Sequence, residues 1–208
     1  MTYRFSRRSM LLASIAAVAG LPANAKTSSE RGSGVSVEIV TRLGKIQIQV
    51  DTRHAPISAG NFLEFLDKGL FVGAQFYRSV HPENDQNPSK ISVLQGGVVD
   101  EKKFLPPIAH ETTGQTGLTH VDGTLSVGRL APGTGSAGAF FICIGKQPEL
   151  DFGGHRNPNG QGFAAFGRVT HGMELVRAIW NRPTKGADGS IAAQMIETPV
   201  EFLSIARK

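Results

Sequence analysis

A chain of 208 residues that is 40% hydrophobic and 19% charged is long enough for one sizeable domain and has an ordinary globular balance, which excludes disordered and fibrous classes. Its single cysteine, Cys143, excludes an intramolecular disulfide. The formal charge of +5 raises the question of a nucleic-acid partner, but three of those charges lie in the first 25 residues and no later stretch gathers Lys and Arg among aromatics, so none is expected.

The chain opens with the pattern of an export signal. Arg4, Arg7 and Arg8 make a basic start, Met10 to Leu21 is a mildly apolar run of small residues, and Ala23-Asn24-Ala25 fits a cleavage site. The run is shorter than the ~20 residues of a membrane helix, so no membrane span is expected in the mature chain. Ser6-Arg7-Arg8-Ser9-Met10-Leu11-Leu12 resembles a twin-arginine signal, and the destination expected is a periplasm or another space outside the cytoplasm. The expected organisation is a signal over 1–25, a flexible Ser/Gly leader over 26–34 and one domain over 35–208, acting as a monomer.

Val35 to Thr41 and Lys45 to Val50 alternate apolar and polar residues about Arg42-Leu43-Gly44, which predicts a hairpin with one buried side. Pro56 suits the first position of a helix whose apolar face is Phe62, Leu63, Phe65 and Leu66, closed by Lys68-Gly69. Gln75 to Val80 and Ile91 to Gln95 are β-prone runs about a polar loop, HPENDQNPSK, and bring Arg78 and Gln95 together. At a strand's period of two, Phe76 shares a face with Arg78. Asp100 to His120 reads as loop. Gly123 to Arg129, Phe140 to Ile144, Phe163 to Val169 and Val200 to Ala206 read as further strands, and Met173, Val176, Ile179 and Trp180 fall at helical spacing after Gly172. These elements predict a mainly β fold, a closed eight-stranded antiparallel barrel capped by two α-helices.

Three motifs fail in context. Gly133-Thr134-Gly135-Ser136-Ala137-Gly138 matches a dinucleotide fingerprint but leads into a β-type run rather than a helix. His110-Glu111 does not complete a zinc motif, and Thr134 stands where a nucleophile elbow around Ser136 needs glycine. Cys143, inside an apolar strand, reads as an inert core thiol.

Several blocks resemble, in order and spacing, the cyclophilin-type peptidyl-prolyl isomerases, particularly exported bacterial members. They are Ala55-Pro56 with Asn61-Phe62, Phe76-Tyr77-Arg78, Gln95-Gly96-Gly97, Gly123 to Arg129, Phe140-Phe141-Ile142, and Phe166-Gly167 with Gly172-Met173. The resemblance implies a barrel closed by two helices, Pro-containing polypeptides as partners, and isomerisation of X-Pro bonds with no cofactor and no metal. It makes Arg78 the catalytic group and Gln95 the residue that positions it. Phe141 becomes the floor of the proline pocket, Val93 and Leu150 its lining, and Gly128 and Arg129 the edge along which substrate backbone lies. Phe76, on the face of Arg78, and Phe163, at the place of the family's usual pocket histidine, complete the substrate-binding set.

The chain departs from the family pattern at Ser92, where an aromatic is usual, at Glu149, where Trp or Phe is usual, and at Ala139, where glutamine is usual. Insertions at 81–90 and 152–162 offer His155 as a substitute for the missing histidine. Two functions follow: an exported prolyl isomerase, or a catalytically weak module of the same fold that binds Pro-containing peptides. The Glu149 departure also implies weak binding of cyclosporin, the family's cyclic-peptide inhibitor.

Overall fold

The structure is a computed structural model that describes residues 34–129, 131–185 and 191–208. The expected export signal, and all of the 26–34 leader but Gly34, lie outside the described residues.

Ten strands form one antiparallel sheet: β1 (Val35–Thr41), β2 (Gly44–Val50), β3 (Gln75–Val80), β4 (Val93–Gly97), β5 (Ile108–Ala109), β6 (Thr124–Arg129), β7 (Thr134–Cys143), β8 (Ala164–His171), β9 (Met195–Glu201) and β10 (Ser204–Arg207). Their order is β10-β1-β2-β8-β6-β7-β4-β3-β9, with β5 beside β7. The segment expected as one strand from Val200 to Ala206 is two. Phe202 N donates to Ala74 O (2.8 Å) on the β3 side and Leu203 N to Val40 O (2.7 Å) on the β1 side. The chain thus changes partner between adjacent residues, and this covalent step, rather than a ladder between β9 and β10, joins the ends of the curled sheet. The mainly β architecture is as expected, with ten strands in place of eight.

Helix α1 (Pro56–Asp67) packs on β7 and β8, and α3 (Met173–Trp180) on β2 and β4; a single turn, α2 (Thr113–Thr116), lies in the segment expected to be loop. Pro56 brings no N–H, and Ala55 cannot cap, so the first free donors of α1 need a distant acceptor. Glu111 supplies it: its carboxylate accepts from Ile57 N (3.1 Å) and Ser58 N (2.6 Å). The apolar face of α1 then fills the barrel, where Phe62 meets Phe71, Phe140 and Phe166 at ring separations of 5.2, 5.5 and 5.3 Å.

Strand alternation divides the apolar residues between two faces of the sheet. Leu94, Phe140 and Ile142 point into the main core, while Val93, Phe141 and Cys143 join Val80, Ile91 and Leu150 in a smaller cluster, with Phe163 packed against it. That second cluster is the platform on which the candidate site stands.

Candidate active site

Arg78 and Gln95 face each other in the β3–β4 ladder. Between Phe76 and Arg78 the register shifts: Phe76 pairs with Gly96 and Arg78 with Gln95, so β3 advances two residues while β4 advances one. Cross-strand partners share a face and neighbours on one strand do not, so the bulge sends Phe76 and Arg78 to opposite faces. Phe76 is fully buried in the main core, against Phe202 and Phe140. The expectation that it shares the face of Arg78 and touches substrate is therefore corrected: an uninterrupted period of two does not survive the bulge.

Two neutral amides hold the Arg78 guanidinium. Its Nη1 donates to Gln95 Oε1 at 2.8 Å, and its Nε and Nη2 both donate to Gln194 Oε1, at 2.9 and 2.5 Å. Gln194, buried at the end of a short turn (Ile191–Gln194), donates its own Nε2 to Asn84 O at 2.9 Å. Fixing an arginine by neutral acceptors orients its fork without cancelling its charge. Burial, and next the neighbouring Arg156 cation, hold the guanidinium below its usual value, while Tyr77 and Asp85 act in the other direction. Tyr77 lies beside Arg78 and Gln95, and burial pushes its phenol up.

In front of the guanidinium lies a cleft of about 140 Å³, lined by Arg78, Gln95, Val93, Leu150, Phe141, Phe163, Gly128 and Arg129, and also by Ile91 and Arg156. Phe141 forms the floor, with Phe163 edge-on at 5.4 Å. Gly128 sits where β6 and β7 lose register, and a Cβ there would come within 2.8 Å of Ala139 O, so only glycine lets the strands close at this edge. Arg129 donates from Nη1 to Gly162 O (3.0 Å) and Asn159 Oδ1 (3.4 Å), tying the 152–162 insertion to the cleft.

Behind the floor, His120 stacks on Phe141 at 6.1 Å, with Nδ1 2.7 Å from Asp151 Oδ1 and Nε2 2.9 Å from Ser126 Oγ. The connectivity is that of a hydrolase triad, but Ser126 is 0% and His120 1% exposed. With no route for a substrate carbonyl to the hydroxyl, the group is a polar pillar beneath Phe141. Burial likewise pushes the Cys143 thiol well up, as for an inert thiol. Among the described residues no cluster of His, Cys, Asp and Glu could hold a metal ion, and no helix is long and apolar enough to cross a membrane.

His155 does not fill the place of the missing histidine. Its side chain is 83% exposed, and its N and Nδ1 lie 2.9 and 3.2 Å from Glu149 Oε2. The backbone bond from His155 helps hold the Glu149 carboxyl below its usual value. A carboxylate accepting a nearby N–H from its own loop draws the histidine outward to solvent.

The insertions contribute other residues. Asp85, buried, takes Arg156 Nη1 at 2.6 Å and the Ile91 N–H at 3.1 Å, joining 81–90 to 152–162 beside the cleft. Gln194, Arg156 and Asp85 escape sequence reasoning because they reach the site by contacts across 71 to 116 positions, from irregular segments with no period. One signal is legible: complementary charges, Asp85 and Arg156, in two polar insertions.

A family model described as cyclophilin type peptidyl-prolyl cis-trans isomerase/CLD matches residues 36–200. The chain is 30% identical over 178 residues to a peptidyl-prolyl cis-trans isomerase of Acinetobacter baylyi, covering 83% of this chain and 85% of that one. It is 29% identical over 177 residues to peptidyl-prolyl cis-trans isomerase A of Dickeya dadantii, covering 81% and 83%. Among solved structures, a cyclophilin type isomerase of Cryptosporidium parvum superposes with a TM-score of 0.63 at 18% identity, over 84% of this chain and 98% of that one, which is a likeness of fold.

Proposed function

The chain belongs to the cyclophilin-type peptidyl-prolyl cis-trans isomerase family, and we propose that it accelerates X-Pro rotation through Arg78 acting on the twisted imide. The observation that carries this reading is a guanidinium held by two neutral glutamine amides over an apolar floor. An X-Pro bond resists rotation by about 20 kcal/mol because twisting it breaks the resonance between the nitrogen lone pair and the carbonyl. In the twisted state the lone pair localises on a pyramidal nitrogen and becomes a hydrogen-bond acceptor, which it is not in the planar state. A guanidinium N–H donated to it stabilises only the twisted state, and each 1.4 kcal/mol of such difference is about tenfold in rate. No covalent bond forms or breaks, and no proton is transferred. Phe141, Val93 and Leu150 take the proline ring, and the Gly128 edge takes the backbone.

Pro-containing polypeptides outside the cytoplasm are the proposed substrates, on the support of the basic, apolar and small-residue pattern of the first 25 residues. N-terminal sequencing of the mature protein should start near Lys26; a soluble cytoplasmic form retaining Met1 contradicts that part.

Exchange NMR on an Ala-Pro peptide tests the activity. At catalytic amounts of protein the cis and trans signals should exchange measurably faster than in buffer. Bound peptide with no faster exchange favours the second reading, a peptide-binding module, for which Ser92 and the half-buried Glu149 supply the motive: each leaves an outer wall without a ring.

A further inference from the structure

The cleft contains more positive charge than isomerisation calls for. Arg78, Arg129 and Arg156 all line a space of about 140 Å³. Of the nearby acids, Asp85 is taken up by Arg156 and by two backbone N–H groups of its own loop, from Asn87 at 3.2 Å and Ile91 at 3.1 Å. Glu149, on the turn beside Leu150, is turned to His155. Three guanidiniums line the cleft and no carboxylate does, since those of Asp85 and Glu149 lie beside it and are engaged elsewhere, so the lining itself is positively charged.

Their donors are only partly used. Arg156 donates from Nη1 alone, to Asp85 and to Ser89 O at 2.9 Å, although its side chain is only 13% exposed. Arg129 also donates from Nη1 alone. Among the described residues, the Nε and Nη2 groups of both make no hydrogen bond, and both residues line the cleft together with Phe141, Phe163, Ile91 and Leu150. Like charges in one partly desolvated space repel, and an entering anion relieves the repulsion while taking up the unused forks.

We infer that this cleft recognises a carboxylate carried by a residue next to the proline, so that acidic X-Pro and Pro-X sequences are its preferred substrates. The inference rests on the cleft being the X-Pro site. A peptide carboxylate could also come from a chain's C-terminus, so the two sources must be told apart.

Exchange NMR with blocked peptides, acetyl-Ala-Xaa-Pro-Ala-amide with Xaa as Glu, Gln or Lys and acetyl-Ala-Ala-Pro-Xaa-amide with Xaa as Glu or Gln, reads binding from shifts and turnover from exchange in the same spectra. In at least one series Glu should bind about tenfold tighter than Gln at low salt, with Lys weakest, and the gap should fall below about threefold at 0.5 M salt as the charges are screened. Arg156→Gln should collapse the Glu-to-Gln ratio, a ratio in which any general loss of affinity cancels; should that variant not fold, the salt response of the unmodified protein decides. Equal affinity for Glu and Gln at low salt overturns the inference. Tighter binding only of the free-acid peptide acetyl-Ala-Gln-Pro-Ala assigns the site to a chain terminus and also overturns it. A Glu preference without faster exchange upholds the carboxylate site while removing the catalytic reading, and exchange without preference does the reverse.

Discussion

The barrel interior and the cleft on the opposite face of the sheet are built on different terms. Inside, Phe62 touches Phe71, Phe140 and Phe166, and Phe71 touches Phe140, in a wholly apolar space, where many small contacts share the load and no single atom is indispensable. On the cleft side a small apolar platform supports a polar chain that runs from Gln95 through Arg78 to Gln194 and the carbonyl of Asn84; from the same loop, the Asp85–Arg156 pair leads to the other insertion. Stability therefore resides in the first region and geometry in the second, so substitutions in the two should separate folding from catalysis.

The largest effect on folding is expected inside. Phe62→Ala removes the ring that contacts three others and should destabilise by about 3–5 kcal/mol in urea unfolding. Activity per folded molecule should stay within twofold, and a specific loss of rate would break the division. Asp85→Asn acts on the cleft side and should still cost some stability. It leaves the Arg156 cation without its carboxylate at a site with 13% exposure, and should cost about 2–3 kcal/mol, below the 3–5 kcal/mol of a fully buried pair. The same variant should raise KM more than it lowers kcat, because the 152–162 wall released from Asp85 moves while Arg78 keeps both glutamines. Gln194→Ala acts on the catalytic side. It removes two of the three bonds that aim the guanidinium, and should lower kcat about tenfold with little change in KM. A loss of stability without a loss of kcat would make Gln194 a structural residue only. The smallest effects concern the rim and the thiol. Glu149→Trp should strengthen inhibition by cyclosporin several-fold in the peptide assay, since an indole replaces a carboxylate now turned to His155. Burial raises the Cys143 thiol, so at pH 8 it remains protonated and a disulfide reagent should titrate it only after unfolding.

The elements legible in the sequence are those whose cause is local. β1 and β2 alternate over a short turn, α1 starts at Pro56 and carries four apolar residues on one face, and α3 follows Gly172. The start of β7 at Thr134 was not legible. Thr134 to Gly138 carries no apolar alternation, and its extended form depends on pairing with β5 and β6. Nor was the break at Phe202-Leu203, which is a change of partner rather than of residue type. In the site, Arg78, Gln95, Val93, Phe141, Leu150, Phe163, Gly128 and Arg129 come together around one cleft. Phe76 does not, because one bulge inverts the alternation that placed it there, and His155 does not, because Glu149 holds it outside. Gln194 stands 116 positions from its partner, a distance no periodic pattern spans.

On the proposed mechanism Arg78 stabilises the twisted imide while the fold stands without it. Single-turnover exchange NMR of an Ala-Pro peptide, run with the unmodified protein, Arg78→Ala and Arg78→Lys, tests it most directly. Arg78→Ala should lower the rate on bound peptide by one to three orders of magnitude, about 1.4–4 kcal/mol of lost transition-state stabilisation, with unfolding changed by less than about 1 kcal/mol. Arg78→Lys should restore little, because an ammonium cannot bond both glutamines and the imide nitrogen with one planar fork. An unchanged rate in Arg78→Ala, with the protein folded and the peptide bound, would mean that Arg78 does not act on the imide.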